Sequence, residues 1–122
     1  MIPERIRVFL RATIKSVWAL DLLVLLKSAP GREWTVGALN DSLRASTSLV
    51  EEILDGFARR GLVAADGKGL YRYAPATAEM EAIAGDLVRL YAERPLAVIK
   101  EVVSAPNEKI HSFVDAFRLK KD

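Results

Sequence analysis

Three acidic side chains have the spacing needed to form a single charged surface. Glu51, Glu52 and Asp55 fall on one face if residues 47–60 are helical. A group of carboxylates can bind a cation, bind a basic protein partner or simply be solvated. A cation site would need a second cluster of ligands with a recognisable spacing, and the sequence offers none. We therefore expect a solvated face or a partner surface.

The basic side chains that could bind a ligand form a second set. Arg7, Arg11 and Lys15 have the i, i+4, i+8 spacing of one helix face and form a stripe. Lys68 lies in a glycine-rich turn, and Arg72 lies in the strand after it. Such cations bind the phosphates of a nucleic acid. The alternatives are a solvated helix face, an ordinary exposed turn and, for the stripe, an anionic membrane surface.

The sequence contains few residues of the kinds that form catalytic sites. It has no cysteine and a single histidine, His111. One histidine without close partners makes neither a metal site nor a catalytic triad. Gly67 and Gly69 belong to a turn and not to a phosphate-binding or dinucleotide-binding loop. We predict no catalytic residue, no metal, no cofactor and no enzymatic activity.

The composition is typical of one globular domain in the cytoplasm. Of 122 residues, 51% are hydrophobic and 28% charged, and the net charge is +2. A pI of about 9.0 is compatible with a nucleic-acid partner without establishing one. The absence of cysteine fits a reducing compartment. The apolar run 17–27 contains Asp21 and is shorter than the roughly 20 residues of a membrane span, so we predict a buried helix.

Hydrophobic periodicity predicts the order helix, short extended segment, two helices, β-hairpin and helices. Helices are expected at 3–15, 17–27, 36–44, 47–60 and from 76 onward with an interruption at Pro95, and strands at 62–65 and 70–73. A last apolar stripe comprises Ile110, Phe113, Val114 and Phe117. Thr35 is a predicted cap, and either Ser46 or Ser48 caps the fourth helix. Ser16 either caps the second helix or lies where the first helix continues into it. Gly61 is predicted to end that helix in the left-handed conformation.

The aromatic residues have predicted structural roles. Trp18 lies in the most apolar helix and is expected in the core. Trp34 is expected to pack under the hairpin. Tyr71 and Tyr73 alternate with Arg72 on a strand, so the two tyrosines share the face that packs against the body of the protein.

The stretch from Leu39 to Val63, LNDSLRASTSLVEEILDGFARRGLV, resembles the helix-turn-helix of winged-helix transcription regulators of the MarR and ArsR kind. Leu39 and Leu43 match the first helix and Ser46 matches the cap of the second. The inner face of the second helix is matched by Val50, Leu54 and Phe57, and the exit toward the wing by Gly61, Leu62 and Val63. The resemblance implies a mainly α fold with a small β-hairpin wing and helical extensions at both ends. It also implies DNA binding and transcription regulation.

The predicted domain organisation follows from this resemblance. Residues 1–15 form an N-terminal amphipathic helix, 16–75 the winged helix-turn-helix domain and 76–122 a C-terminal helical extension with a dimerisation role. The resemblance implies that the flanking helices build a two-fold homodimer, which would present two reading helices to a pseudo-palindromic duplex.

The acidic helix departs from the usual pattern of such regulators, because duplex DNA is a dense line of negative charge. We expect the hydroxyl and carboxylate groups of Thr47, Ser48 and Glu52 to contact base edges. The basic side chains expected to contact phosphates are Arg44, Arg59, Lys68 and Arg72. The rival hypothesis is a protein-interaction module that meets a basic partner through Glu51, Glu52 and Asp55. A third hypothesis is an adaptor that senses a small ligand in an apolar pocket between the helices.

Overall fold

The computed structural model describes residues 2–104, so His111 and the predicted stripe at 110–117 lie outside the described residues. The described part is mainly helical with a small antiparallel hairpin, as the sequence predicts. Its elements in chain order are α1 Glu4–Thr13, α2 Val17–Ser28, α3 Val36–Leu43, α4 Thr47–Arg59, β1 Val63–Ala65, β2 Tyr71–Tyr73, α5 Ala78–Glu93 and α6 Pro95–Ser104.

Short polar side chains fix where the helices begin. Ser16 accepts a hydrogen bond from the backbone N–H of Ala19, Thr35 does so from Ala38 and Ser46 does so from Leu49. The predicted cap at Thr35 is confirmed, and Ser46 rather than Ser48 caps α4. Of the two alternatives at Ser16, the structure shows the cap of a separate second helix. The sequence analysis missed a further cap, Thr77, which begins α5. Because a cap satisfies a backbone donor that the helix leaves free, it sets the first residue of the helix.

The core is built around α2, whose Leu22, Leu23 and Leu26 are fully buried. Helices α3, α5 and α6 and strand β2 pack around this helix. Trp18 does not join the core as predicted, since 40% of its surface is exposed. Because α2 is apolar on nearly every side, its sequence shows no polar face that would indicate which side chains are exposed to solvent. Trp18, in the first turn of this helix, is one of the exposed side chains.

The hairpin pairs Val63 with Tyr73, Ala64 with Arg72 and Ala65 with Tyr71. Each strand begins one residue later than predicted. Trp34, just before α3, forms two backbone hydrogen bonds with Tyr71, with N···O distances of 2.8 and 2.9 Å. The extended segment before α3 therefore joins the hairpin that follows α4. Trp34 is buried beside the hairpin, as predicted.

Helices α5 and α6 cover the other side of α2 and contact α1. Glu93 ends α5, Arg94 leaves the helical conformation and Pro95 begins α6. The predicted interruption at Pro95 is confirmed, because proline fits the first turn of a helix, where its missing N–H costs nothing.

Candidate nucleic-acid interface

The connection between α3 and α4 is short and conformationally defined. Arg44 adopts the left-handed conformation, with φ 59° and ψ 42°, and its N–H donates to the carbonyl of Asn40 at 2.7 Å. The side-chain oxygen of Asn40 accepts from the N–H of Ala45 at 3.0 Å. With the Ser46 cap directly after it, this turn fixes the direction in which α4 leaves α3.

Helix α4 has one buried face and one exposed face. Val50, Leu54 and Phe57 are buried in the core. The side chains that the sequence predicts for recognition are exposed on the opposite face and its edges: Thr47, Ser48, Glu51, Glu52, Asp55 and Arg59. The helix therefore displays hydroxyls near its start, carboxylates along its middle and a guanidinium at its end.

Two of the carboxylates lie on the flank of α4 that faces the hairpin. Burial raises the pKa of the Tyr71 hydroxyl, and the negative charges of Asp55 and Glu51 raise it further. An interaction of this hydroxyl with the Asp55 carboxylate contributes to the same rise in the pKa. Asp55 therefore interacts with the hairpin as well as with solvent, a role that the sequence pattern did not reveal.

The tip of the hairpin presents Lys68. Gly67 and Gly69 on either side have φ of 78° and 95°, which glycine adopts readily. The Asp66 carboxylate accepts from the N–H groups of Lys68 and Leu70 at 2.7 and 3.0 Å, and these bonds hold the pKa of the Asp66 carboxyl below its usual value. The turn is thereby closed with the Lys68 side chain exposed.

The base of the hairpin is attached to the helical body through Tyr73. Its ring is buried, and its hydroxyl donates to Glu81 of α5 at 2.5 Å. Lys27 of α2 lies 3.5 Å from the Glu81 carboxylate and 5.6 Å from the centre of the Tyr73 ring. The two tyrosines hold the hairpin against the body, as predicted, while Arg72 between them is exposed.

The N-terminal basic stripe is engaged within the protein. Arg7 and Arg11 donate to the two oxygens of Glu101 in α6, at 3.2 and 3.5 Å, and Lys15 donates to the carbonyl of Arg11 at 2.6 Å. Arg5 pairs with Asp86 of α5. The hypothesis that this stripe joins the hairpin cations in holding a nucleic acid is therefore not favoured, since its charges attach α1 to α5 and α6.

A different set of cations remains unpaired. In the part of the chain that the structure describes, every ion pair joins residues of α1, α2, α5 and α6. The α3–α4 turn, the end of α4 and the hairpin carry exposed basic side chains with no ion-pair partner among residues 2–104: Arg44, Arg59, Arg60, Lys68 and Arg72. Most of the cations without an ion pair among the described residues therefore lie around α4 and the hairpin, while Lys15, Arg94 and Lys100 lie elsewhere.

Arg32 is a neighbouring cation that the sequence analysis missed. Its guanidinium stacks over the ring of Trp34, 3.7 Å from the ring centre. Alternation along an extended segment places residues i and i+2 on the same face, and this signal could have revealed the pair. The stacking holds Arg32 beside the strand that carries Arg72.

Other kinds of site find little support in the described residues. Between 2 and 104, no three histidine, cysteine or acidic side chains are grouped so that they could hold a metal ion. No helix in the same range is long and apolar enough to cross a membrane. A surface depression of about 370 Å³ lies where β2 meets α5, lined by Tyr73, Pro75, Thr77 and Glu81 among others, rather than between the helices.

Comparison with protein-family models, with curated proteins and with solved structures finds no match for this chain. Its function therefore has to be argued from the arrangement of its own residues.

The attachment of the hairpin predicts how stability depends on alkaline pH. Burial, together with the bond to Glu81, raises the pKa of Tyr73 in the folded state, so the folded protein keeps this proton above the pH of about 10 at which an unfolded tyrosine ionises. The stabilisation is complete below that pH and is lost as the pH rises through and above it. In denaturant titrations, Tyr73→Phe should reduce the loss of unfolding free energy above pH 10 by up to about 1.4 kcal/mol per pH unit, the value for one proton.

At pH 7 the same variant should cost only about 1 kcal/mol, the usual contribution of one hydrogen bond. An alkaline slope equal to that of the unmodified protein would show that Tyr73 is not held by Glu81 and burial as described.

Proposed function

We propose that this chain is a winged helix-turn-helix protein of the MarR-like or ArsR-like kind, a cytoplasmic transcription regulator that binds duplex DNA as a homodimer. The order of elements supports the fold assignment: α2, the extended segment at Trp34, α3, α4 and then the hairpin. In this arrangement α3 and α4 are the helix-turn-helix and the hairpin is the wing. The proposed activity is binding and not catalysis.

The observation that carries this proposal is the distribution of unpaired positive charge. Arg44, Lys68 and Arg72 are exposed and have no ion pair within residues 2–104, whereas the cations of α1 are paired with α5 and α6. Phosphates supply much of the affinity of a protein for DNA. A duplex whose backbones meet the α3–α4 turn and the hairpin would place its phosphates beside the unpaired charges.

The exposed face of α4 is then directed at base edges in the major groove. Thr47 and Ser48 can donate to or accept from any base, and Glu52 can accept from the amino group of cytosine. Arg44, Arg59, Lys68 and Arg72 are the proposed phosphate contacts.

The C-terminal helices support the homodimer. Leu96 and Val103 are 80% and 65% exposed and lie seven residues apart, on one face of α6. Two such side chains on one helix face are poorly suited to water, and a subunit interface would cover them. Two-fold symmetry is the commonest arrangement of soluble homo-oligomers.

DNA binding is tested by fluorescence anisotropy with mixed-sequence duplex DNA between about 20 and 200 mM salt, a range over which phosphate contacts weaken steeply. Four phosphate contacts per protomer predict a slope of about −3.6 in a plot of log K against log salt. Changing both Lys68 and Arg72 to alanine should make the slope shallower by about 1.8 per protomer, since two contacts are lost.

The matched control changes Lys15 and Arg94 to alanine. Both are exposed, neither has an ion pair among the described residues, and neither belongs to the α3–α4 turn, α4, the hairpin or the exposed face of α6. The control removes the same charge and should leave the slope unchanged. Absence of binding by the unmodified protein at the lowest salt, or equal effects of the two double variants, would contradict the proposal.

A second candidate function rests on the acidic face itself. Glu51, Glu52 and Asp55 are all exposed along α4, and carboxylates at this density suit a basic protein surface. On this hypothesis the same fold is a protein-interaction module, since a fold does not determine a function.

Charge reversal at Glu51 separates the two functions. For a DNA-binding protein, Glu51→Lys should strengthen binding to mixed-sequence duplex at low salt by roughly tenfold, because one repulsive charge is replaced by an attractive one. For an interaction module, the same change should abolish binding to a lysine-rich and arginine-rich probe peptide and leave DNA binding absent. Both outcomes are read in one anisotropy assay with two labelled probes. Glu93→Lys, at the exposed end of α5, makes the same change of charge outside α3, α4 and the hairpin and is the control.

A further inference from the structure

Arg44 stands out because of its backbone conformation. Among residues 2–104 it is the one residue other than glycine with a positive φ, at 59°. An L-amino acid is strained in the left-handed region, and glycine or asparagine usually occupies such a position after a helix. Glycine would therefore make the same turn with less strain than arginine does.

The surrounding structure gives the Arg44 side chain no evident role in folding. The side chain is exposed and has no ion pair or hydrogen bond within the described residues. Strain that persists in a folded protein is held by its neighbours and concentrates at positions with a function. Here the unpaired guanidinium is what distinguishes arginine from the glycine that the turn would prefer.

Asn40 is the neighbour that holds the strained turn. Its backbone carbonyl accepts from the N–H of Arg44 at 2.7 Å, and its side-chain oxygen accepts from the N–H of Ala45 at 3.0 Å. One residue thus binds two consecutive N–H groups of the turn from its main chain and its side chain. Alanine at position 40 would keep the first bond, which is made by the main chain, and lose the second.

We infer that Asn40 is a positioning residue, which holds Arg44 in the left-handed turn so that its guanidinium binds a backbone phosphate of duplex DNA at the start of α4. The inference rests on the proposed DNA-binding function and deepens it. Arg44 would bind phosphate in a backbone conformation that lowers the stability of the fold. Asn40 would contribute to binding without contacting the nucleic acid.

The test compares the unmodified chain with Arg44→Gly, Asn40→Ala, the double variant and the control Arg94→Ala. Arg44→Gly should raise Tm by about 2–4 °C, because the strain is removed, and weaken binding to mixed-sequence duplex by about tenfold. Its slope of log K against log salt should become shallower by about 0.9 per protomer, the value for one phosphate contact. Arg94→Ala should change neither Tm nor slope.

The decisive variant is Asn40→Ala, which removes no charge. If Asn40 positions Arg44, this neutral substitution should also make the salt slope shallower, by up to about 0.9 per protomer. Combining it with Arg44→Gly should then change the slope no further. A merely structural role of Asn40 would lower Tm and leave the slope unaltered in protein that is folded at the assay temperature.

The outcomes separate this inference from the function on which it rests. If the unmodified chain binds duplex DNA, but Arg44→Gly keeps its affinity and slope or fails to gain stability, the inference is overturned and the DNA-binding function stands. An unchanged slope for folded Asn40→Ala overturns the positioning role of Asn40. Absence of DNA binding by the unmodified chain overturns the proposed function and this inference together.

Discussion

The two backbone hydrogen bonds between Trp34 and Tyr71 join the segment before α3 to the strand after α4. Because they connect the two ends of the α3–α4 pair, those helices and the hairpin hold a defined relative position. Trp34 is buried at this junction, and the Arg32 guanidinium stacks on its ring. The spacing between the turn at Arg44, the exposed face of α4 and the hairpin tip depends on this pairing.

The division of charge follows from how the remaining helices are attached. Glu101 of α6 binds both Arg7 and Arg11, and Asp86 of α5 binds Arg5, so the cations of α1 are used to assemble the helical body. The Arg5–Asp86 pair is largely exposed and contributes little stability, whereas the Arg7–Glu101 pair is partly buried. Because these pairs use the cations of α1, most of the described cations without an ion pair lie around α4 and the hairpin.

Features encoded by neighbouring residues could be predicted from the sequence, and features made by distant residues could not. The caps at Ser16 and Thr35 and the inner face of α4 depend on residues within a turn or two of one another. The pairing of Arg7 with Glu101 joins residues 94 positions apart, and no pattern on either helix specifies it. The strained turn was missed for a different reason: its bond from Ala45 to Asn40 joins residues only five positions apart, but position 44 carries arginine and not the glycine or asparagine that signals a left-handed residue.

On the proposed function, duplex DNA contacts the protein at the α3–α4 turn, α4 and the hairpin. Backbone amide chemical shifts, recorded while duplex DNA is added to the full chain at low salt, locate this contact directly. We expect the largest changes at residues 44–48, 55–60 and 66–72, with little change at the exposed face of α6. Changes centred on α5 and α6, or none at any duplex concentration, would contradict it.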